Sequence, residues 1–164
     1  MKKLPLKIIT LFLITSLAVN AQALRIPQST NLGMSAGRIL GVTDINIKWN
    51  APGVKGREGK IWGTDVAPYG FEVLGYGSNV LSPWRAGADE CTTISFSTDV
   101  KINGKDLSAG KYALFMAIYA DSTILIFNKN VTEWGAYFYN DKLDVLRVKT
   151  IQQKNTSHCC RWYL

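Results

Sequence analysis

The densest group of residues able to do chemistry is Trp84-Arg85-Ala86-Gly87-Ala88-Asp89-Glu90-Cys91-Thr92. Gly87 can fold the chain back on itself, which would bring Arg85 and Glu90 together across one turn with Asp89 as its cap. Trp84 would shield the pair from water. A guanidinium with a carboxylate beside it can clamp a substrate and move a proton. The same pair can equally be a buried ion pair that fixes a loop, and this is the reading with the greater weight. Adjacent Asp89 and Glu90 point to opposite sides of an extended chain, which argues against them as the two converging carboxylates of a glycosidase.

A second candidate is the aromatic run Glu133-Trp134-Gly135-Ala136-Tyr137-Phe138-Tyr139. If extended, it sets Tyr137 and Tyr139 on one face. With Trp134 they would form an aromatic face able to stack on sugar rings. The competing expectation is packing at a core edge, where Tyr and Trp keep one polar end wet. Lys48, Lys55, Arg57 and Lys60 make a basic loop beside Trp62, suited to an anionic envelope lipid or glycan, but Glu58 interrupts it and it reads as an ordinary solvated loop. Gly33-Met34-Ser35-Ala36-Gly37 has the spacing of a nucleophile elbow without the strand before it or the helix after it. Gly75-Tyr76-Gly77 lacks the third glycine and the helix of a dinucleotide loop. The single histidine, His158, cannot build a His-rich metal site, and no Cys-x-x-Cys occurs; carboxylates alone could still hold calcium, but no EF-hand spacing is present, and neither metal nor cofactor is expected. Cys159 and Cys160 are adjacent and cannot bridge each other without severe strain, and a bridge from Cys91 to one of them is left open.

The elements that must hold these groups are strands. Thr93 to Ile102 alternates, with Ile94, Phe96, Val100 and Ile102 on one face, and predicts a half-buried antiparallel strand. Asn103-Gly104 follows, a hairpin turn in which both residues accept positive φ. Further strands are expected at Asp44 to Trp49, with Ile45, Ile47 and Trp49 inward, and at Tyr112 to Tyr119, Ser122 to Phe127, Ala136 to Tyr139 and Val145 to Ile151. Gly/Pro/Asn turns separate them, and the exception is a glycine-rich loop from Val54 to Pro83. This pattern predicts an all-β chain folded as an antiparallel β-sandwich, jelly-roll-like or Ig-like.

The first 21 residues read as a secretory signal peptide, a helix with Lys2, Lys3 and Lys7 ahead of an apolar run and Val19-Asn20-Ala21 as its cleavage signal. The chain of 164 residues then divides into a flexible entry segment (22–35), the β-sandwich domain (36–151) and an atypical tail (152–164). The formal charge of +7 includes the leader lysines. No later stretch is apolar enough for a membrane helix, so no stable insertion is expected after the signal is removed. The expected location is periplasmic or secreted, which makes nucleic acid a poor partner and a glycan or envelope component the better one.

The stretches GVTDINIKWNAPGVKGR, PYGF, PWRAGADECTTISFSTDVKINGKDLSAGKYALF, IFNK, EWGAYFY and DVLRVK together resemble the secreted bacterial family known as domain of unknown function 2911. The resemblance runs from Ala36 to Thr150. Trp84, Arg85, Gly87, Ala88, Glu90, Thr92, Gly104 and Gly110 match its most specific block, whereas Cys91 stands where members more often carry another small residue. It implies an exported β-rich domain and brings no activity or catalytic residues with it. Members usually continue past DVLRV with more β segments. Here QQKNTSHCCRWYL takes that place, so the resemblance implies a chain lacking the usual C-terminal part. The function expected from all this is a non-catalytic binding or envelope-associated module, with a groove near Trp84, Arg85 and the 54–83 loop. The alternative is a carboxylate-dependent hydrolase or lyase acting on an envelope glycan through Arg85 with Asp89 or Glu90.

Overall fold

A computed structural model describes residues 30–151. The signal segment, residues 22–29 of the entry segment, and the tail with His158, Cys159 and Cys160 lie outside the described residues. The strands are β1 (Leu32–Leu40), β2 (Thr43–Ala51), β3 (Glu72–Val73), β4 (Leu81–Ser82), β5 (Thr93–Phe96), β6 (Val100–Ile102), β7 (Lys105–Leu107), β8 (Gly110–Ile118), β9 (Ser122–Asn128) and β10 (Asp144–Ile151). Six of them form one sheet in the order β1-β2-β5-β8-β9-β10. Every neighbour pair in it is antiparallel. β3 with β4 and β6 with β7 make two small two-stranded sheets. The chain is all-β and antiparallel, but among the described residues no second full sheet stands opposite the first as a sandwich requires.

β8 is central, and its alternate residues serve two cores. Tyr112 and Leu114 pack with Phe96, Leu107 and Phe127 on one face, where the β6–β7 hairpin adds Val100 and Ile102 as cover. Ala113 and Phe115 pack with Cys91, Ile126, Ala136 and Tyr139 on the other, where Phe71 and Leu74 from the 54–83 loop close the layer. One sheet is thus sealed by a hairpin on one side and by irregular chain on the other.

Three local expectations are corrected. β1 begins at Leu32, so residues 32–35 belong to the sheet, and Gly33 to Gly37 pair with β2 as ordinary strand. The predicted Thr93–Ile102 strand breaks after Phe96, although Ile94, Phe96, Val100 and Ile102 do reach the same core. The break has a chemical cause: short polar side chains there bond to backbone in place of a ladder. Ser97 Oγ accepts from the Asp44 amide at 2.7 Å, and Asp99 Oδ1 accepts from the Ala109 amide at 2.7 Å. The segment Ala136 to Tyr139 is a turn, entered through Gly135 at φ 67°, with the Tyr139 amide donating to the Ala136 carbonyl at 3.3 Å.

The Asn103-Gly104 hairpin forms between β6 and β7, with φ of 48° and 77° at its two central residues. A Cβ on Gly104 would meet nothing within 4 Å. Gly104→Val should therefore cost backbone strain alone, about 1–2 kcal/mol, measured as a lower midpoint in urea unfolding with unchanged slope.

Candidate functional site

The loop between β4 and β5 is anchored at both ends by backbone bonds. Trp84 and Met116 exchange amide-to-carbonyl bonds at 3.0 and 2.9 Å, which lays Trp84 alongside β8. Ala86 (φ 55°) and Asp89 (φ 57°) then adopt the left-handed backbone that residues with a Cβ avoid. The surroundings hold them there. The Thr92 hydroxyl donates to the Ala86 carbonyl at 2.9 Å, and the Ala88 amide donates to the Asn50 carbonyl at 3.0 Å. Gly87 is required because a Cβ would lie 2.9 Å from Thr92 Oγ1 and 3.1 Å from the Asn50 carbonyl oxygen.

This turn sends its charged side chains in different directions. Glu90 faces β2, where its carboxylate accepts from Asn50 Nδ2 at 2.5 Å. Asp89 accepts from Asn31 Nδ2 at 2.7 Å. Arg85 runs the other way, its guanidinium carbon 5.8 Å from the centroid of the Tyr137 ring. It also lies against Gly135, where a Cβ would come within 2.8 Å of Arg85 Nη1. The expected Arg85–Glu90 pair does not form. Glu90 is met by an amide from β2, and Arg85 is met by an aromatic face and a bare stretch of backbone.

The turn at 134–138 also divides the expected aromatic face. Tyr139 is only 4% exposed and packs edge-on against Phe115 at 5.2 Å between centroids. Trp134 and Tyr137 instead line a cleft of ≈ 590 Å³ together with Trp49, Trp62, Trp84, Arg85, Asp89 and Asn31. Four of the chain's five tryptophans therefore converge. Each comes from a different element: Trp49 from β2, Trp62 from the 54–83 loop, Trp84 from the loop before β5, and Trp134 from the turn after β9. Trp62 meets Trp84 edge-to-face at 5.1 Å and is itself 51% exposed. Tyr76 supports Tyr137 from beside it at 4.5 Å between centroids. Glu90 is not in the lining, and Asp89 is the one carboxylate among the described residues that is. No group of three or more His, Cys, Asp or Glu placed to hold a metal ion occurs among the described residues.

A second polar cluster went unnoticed in the sequence. Asp144, at the start of β10, has a side chain 6% exposed. It accepts from Asn128 Nδ2 at 2.7 Å, from the Tyr139 hydroxyl at 2.6 Å and from Arg147 Nε at 2.7 Å. Arg147 also donates to the Tyr139 oxygen at 3.0 Å and lies 5.4 Å from the Phe71 ring centroid. Burial, and then the carboxylate to which it donates, hold the Tyr139 hydroxyl well above the ordinary phenol range. Burial likewise raises the Cys91 thiol and the Glu133 carboxyl. This cluster joins the turn after β9 to β10 and so fixes the position of the segment that carries Trp134 and Tyr137.

Comparison with curated proteins finds no match, and comparison with solved structures finds none. The match that does emerge is to a family model, and it covers residues 33–160, taking in all of the sheet but Leu32, the 84–92 loop and the aromatic turn. The chain belongs to the family described as protein of unknown function DUF2911.

Proposed function

We propose that this chain is an exported, non-catalytic binding module of the cell envelope that holds a glycan in its tryptophan-lined cleft. The observation that carries this reading is the convergence of Trp49, Trp62, Trp84 and Trp134, with Tyr137, on one concavity. Its volume of ≈ 590 Å³ is that of a small-ligand site. Aromatic rings present flat apolar faces with polar edges, which suits the mixed CH and hydroxyl surface of a sugar ring. Leaving a tryptophan such as Trp62 half open to water has no benefit for the core, but it does leave area for a ligand to cover.

The hydrolase reading has less support. Glycosidase chemistry uses two carboxyl groups, about 5–9.5 Å apart, on either side of one bond. All twelve Asp and Glu residues fall within the described residues, and only Asp89 lines the cleft.

The test is a glycan array probed with the full chain, followed by calorimetric titration of the hits. Trp134→Ala should weaken binding by about 30-fold or more, the effect of losing an aromatic anchor contributing about 2 kcal/mol. Absence of binding to every glycan, or full affinity in Trp134→Ala, would refute the reading.

A further inference from the structure

Arg85 lines the cleft without an ion pair to any of the carboxylates around it, Asp89 in the same lining and Asp65 and Glu72 in the adjoining cavity that Arg85 also borders. Among the described residues, which hold every Asp and Glu side chain of the protein, the ion pairs are Lys101–Asp106 and Arg147–Asp144. Asp89, the carboxylate in the lining, is engaged by Asn31. The one interaction of the Arg85 guanidinium with the described residues is the face of Tyr137. Arg85 is nevertheless half-buried, between the Tyr137 ring and the Gly135 backbone. Taking a cation partly out of water without a counter-charge in contact is unfavourable, and an anionic ligand group would supply that contact.

Resting on the sugar-binding reading above, we propose that the ligand is an acidic sugar and that Arg85 receives its anionic group, a carboxylate or a sulfate ester. The guanidinium is a planar fork of five donors that matches such oxyanions two bonds at a time. The Tyr137 ring on one side and the Gly135 backbone on the other restrict the side chain before the ligand arrives, which lowers the entropy lost on binding. The tryptophans take the ring of the sugar and Arg85 takes its charge.

The experiment compares the full chain with three oligosaccharides of equal length: an oligouronate, a sulfated neutral oligomer and the unmodified neutral oligomer. Calorimetry is run at low and at physiological salt. An acidic oligomer should bind about 10- to 100-fold more tightly than the neutral one, as expected for a charge-assisted contact, with a preference that narrows as salt rises. Whether the uronate or the sulfate ester is the stronger identifies the anion. Arg85→Gln should abolish the preference, so that acidic and neutral oligomers bind alike, with the melting temperature near wild type. Arg85→Lys, which keeps the charge without the fork, should retain part of it. Equal binding of acidic and neutral oligomers would overturn this proposal and leave the glycan reading standing. Binding of none of the three here, with an empty glycan array, would overturn both. An acidic preference that survives Arg85→Gln would also overturn it.

Discussion

Asp144→Ala should destabilise the fold by about 2–4 kcal/mol, because the buried Asn128 amide and Tyr139 hydroxyl each lose an acceptor, while the half-exposed Arg147 can turn to water. The carboxylate is nearly sealed from solvent and satisfies three side chains at once: Asn128, Tyr139 and Arg147. Without it, the Asn128 amide, itself 1% exposed, loses an acceptor, and the Arg147 guanidinium loses its counter-charge. Tyr139→Phe removes one neutral hydroxyl, a donor to Asp144 and an acceptor from Arg147, and should cost only about 1–2 kcal/mol. The double variant Asp144→Ala with Arg147→Met should cost less than the two singles added together, because both remove the same ion pair. Urea unfolding of the four variants checks the order. Asp144→Ala within about 1 kcal/mol of wild type would show that water replaces the network at no cost.

The same cluster sets an alkaline limit. The folded Tyr139 hydroxyl is held above the value it has in the unfolded chain, so the folded state keeps this proton longer. By linkage, its contribution is complete below the unfolded phenol pKa of about 10 and is lost as pH rises through the folded value. Wild-type stability should therefore fall more steeply above pH ~10 than that of Tyr139→Phe. Lysines and other tyrosines titrate in both proteins, so the difference between the two slopes isolates this group. Parallel slopes would mean that Tyr139 ionises in the folded state as it does in the unfolded chain.

Period-two alternation reported what each residue does to its own strand, and that much of the fold was legible. Ile45, Ile47, Ile94 and Phe96 pack on the face their spacing predicts, and Asn103-Gly104 turns where its tolerance of positive φ places it. Alternation is silent about what a strand end meets. The break at Ser97 depends on Asp44, more than fifty residues earlier in the chain, and the fate of Glu90 depends on Asn50, forty positions away. Read locally, Arg85 is the nearest cation to Glu90 and a turn at Gly87 would join them, and only the strained backbone at Ala86 and Asp89 sends them apart. The tryptophan cleft was half visible for the same reason. Trp84 and Trp134 stand in conspicuous runs, while Trp49 reads as one more inward strand residue and Trp62 as part of a basic loop. Their convergence follows from β2, β5 and β8 being neighbours in the sheet, a long-range ordering that no window along the sequence contains.

Gly75 and Gly77 offer a paired test of how the cleft wall is held. Their backbones are alike, with φ of 74° and 67°, so an added Cβ strains both to a similar degree. Their surroundings are not. At Gly75 a Cβ would meet nothing within 4 Å, whereas at Gly77 it would stand 1.9 Å from the Tyr137 carbonyl oxygen and 2.6 Å from its carbonyl carbon. Those are backbone atoms, which cannot rotate away as a side chain does. The two chains meet this closely because the Ser78 amide donates to that same carbonyl at 2.8 Å, with the Ser78 hydroxyl at 3.2 Å, while Tyr76 packs on the Tyr137 ring. Gly75→Ala should thus cost only the strain of a left-handed alanine, about 1–2 kcal/mol. Gly77→Ala adds the loss of both Ser78 bonds and of the ring contact, for about 3–5 kcal/mol in total. The functional consequence separates the two further. Pushing the 75–79 loop off Tyr137 removes the support of the ring on which Arg85 stacks, so Gly77→Ala should lose its preference for acidic oligosaccharides even at temperatures where it remains folded. Gly75→Ala, with Tyr137 undisturbed, should bind as wild type does. Equal melting temperatures for the two variants would show that the loops do not touch at Gly77. A large gap in stability with unchanged acid preference in Gly77→Ala would show that Arg85 holds its position without Tyr137, leaving the Gly135 backbone to orient it.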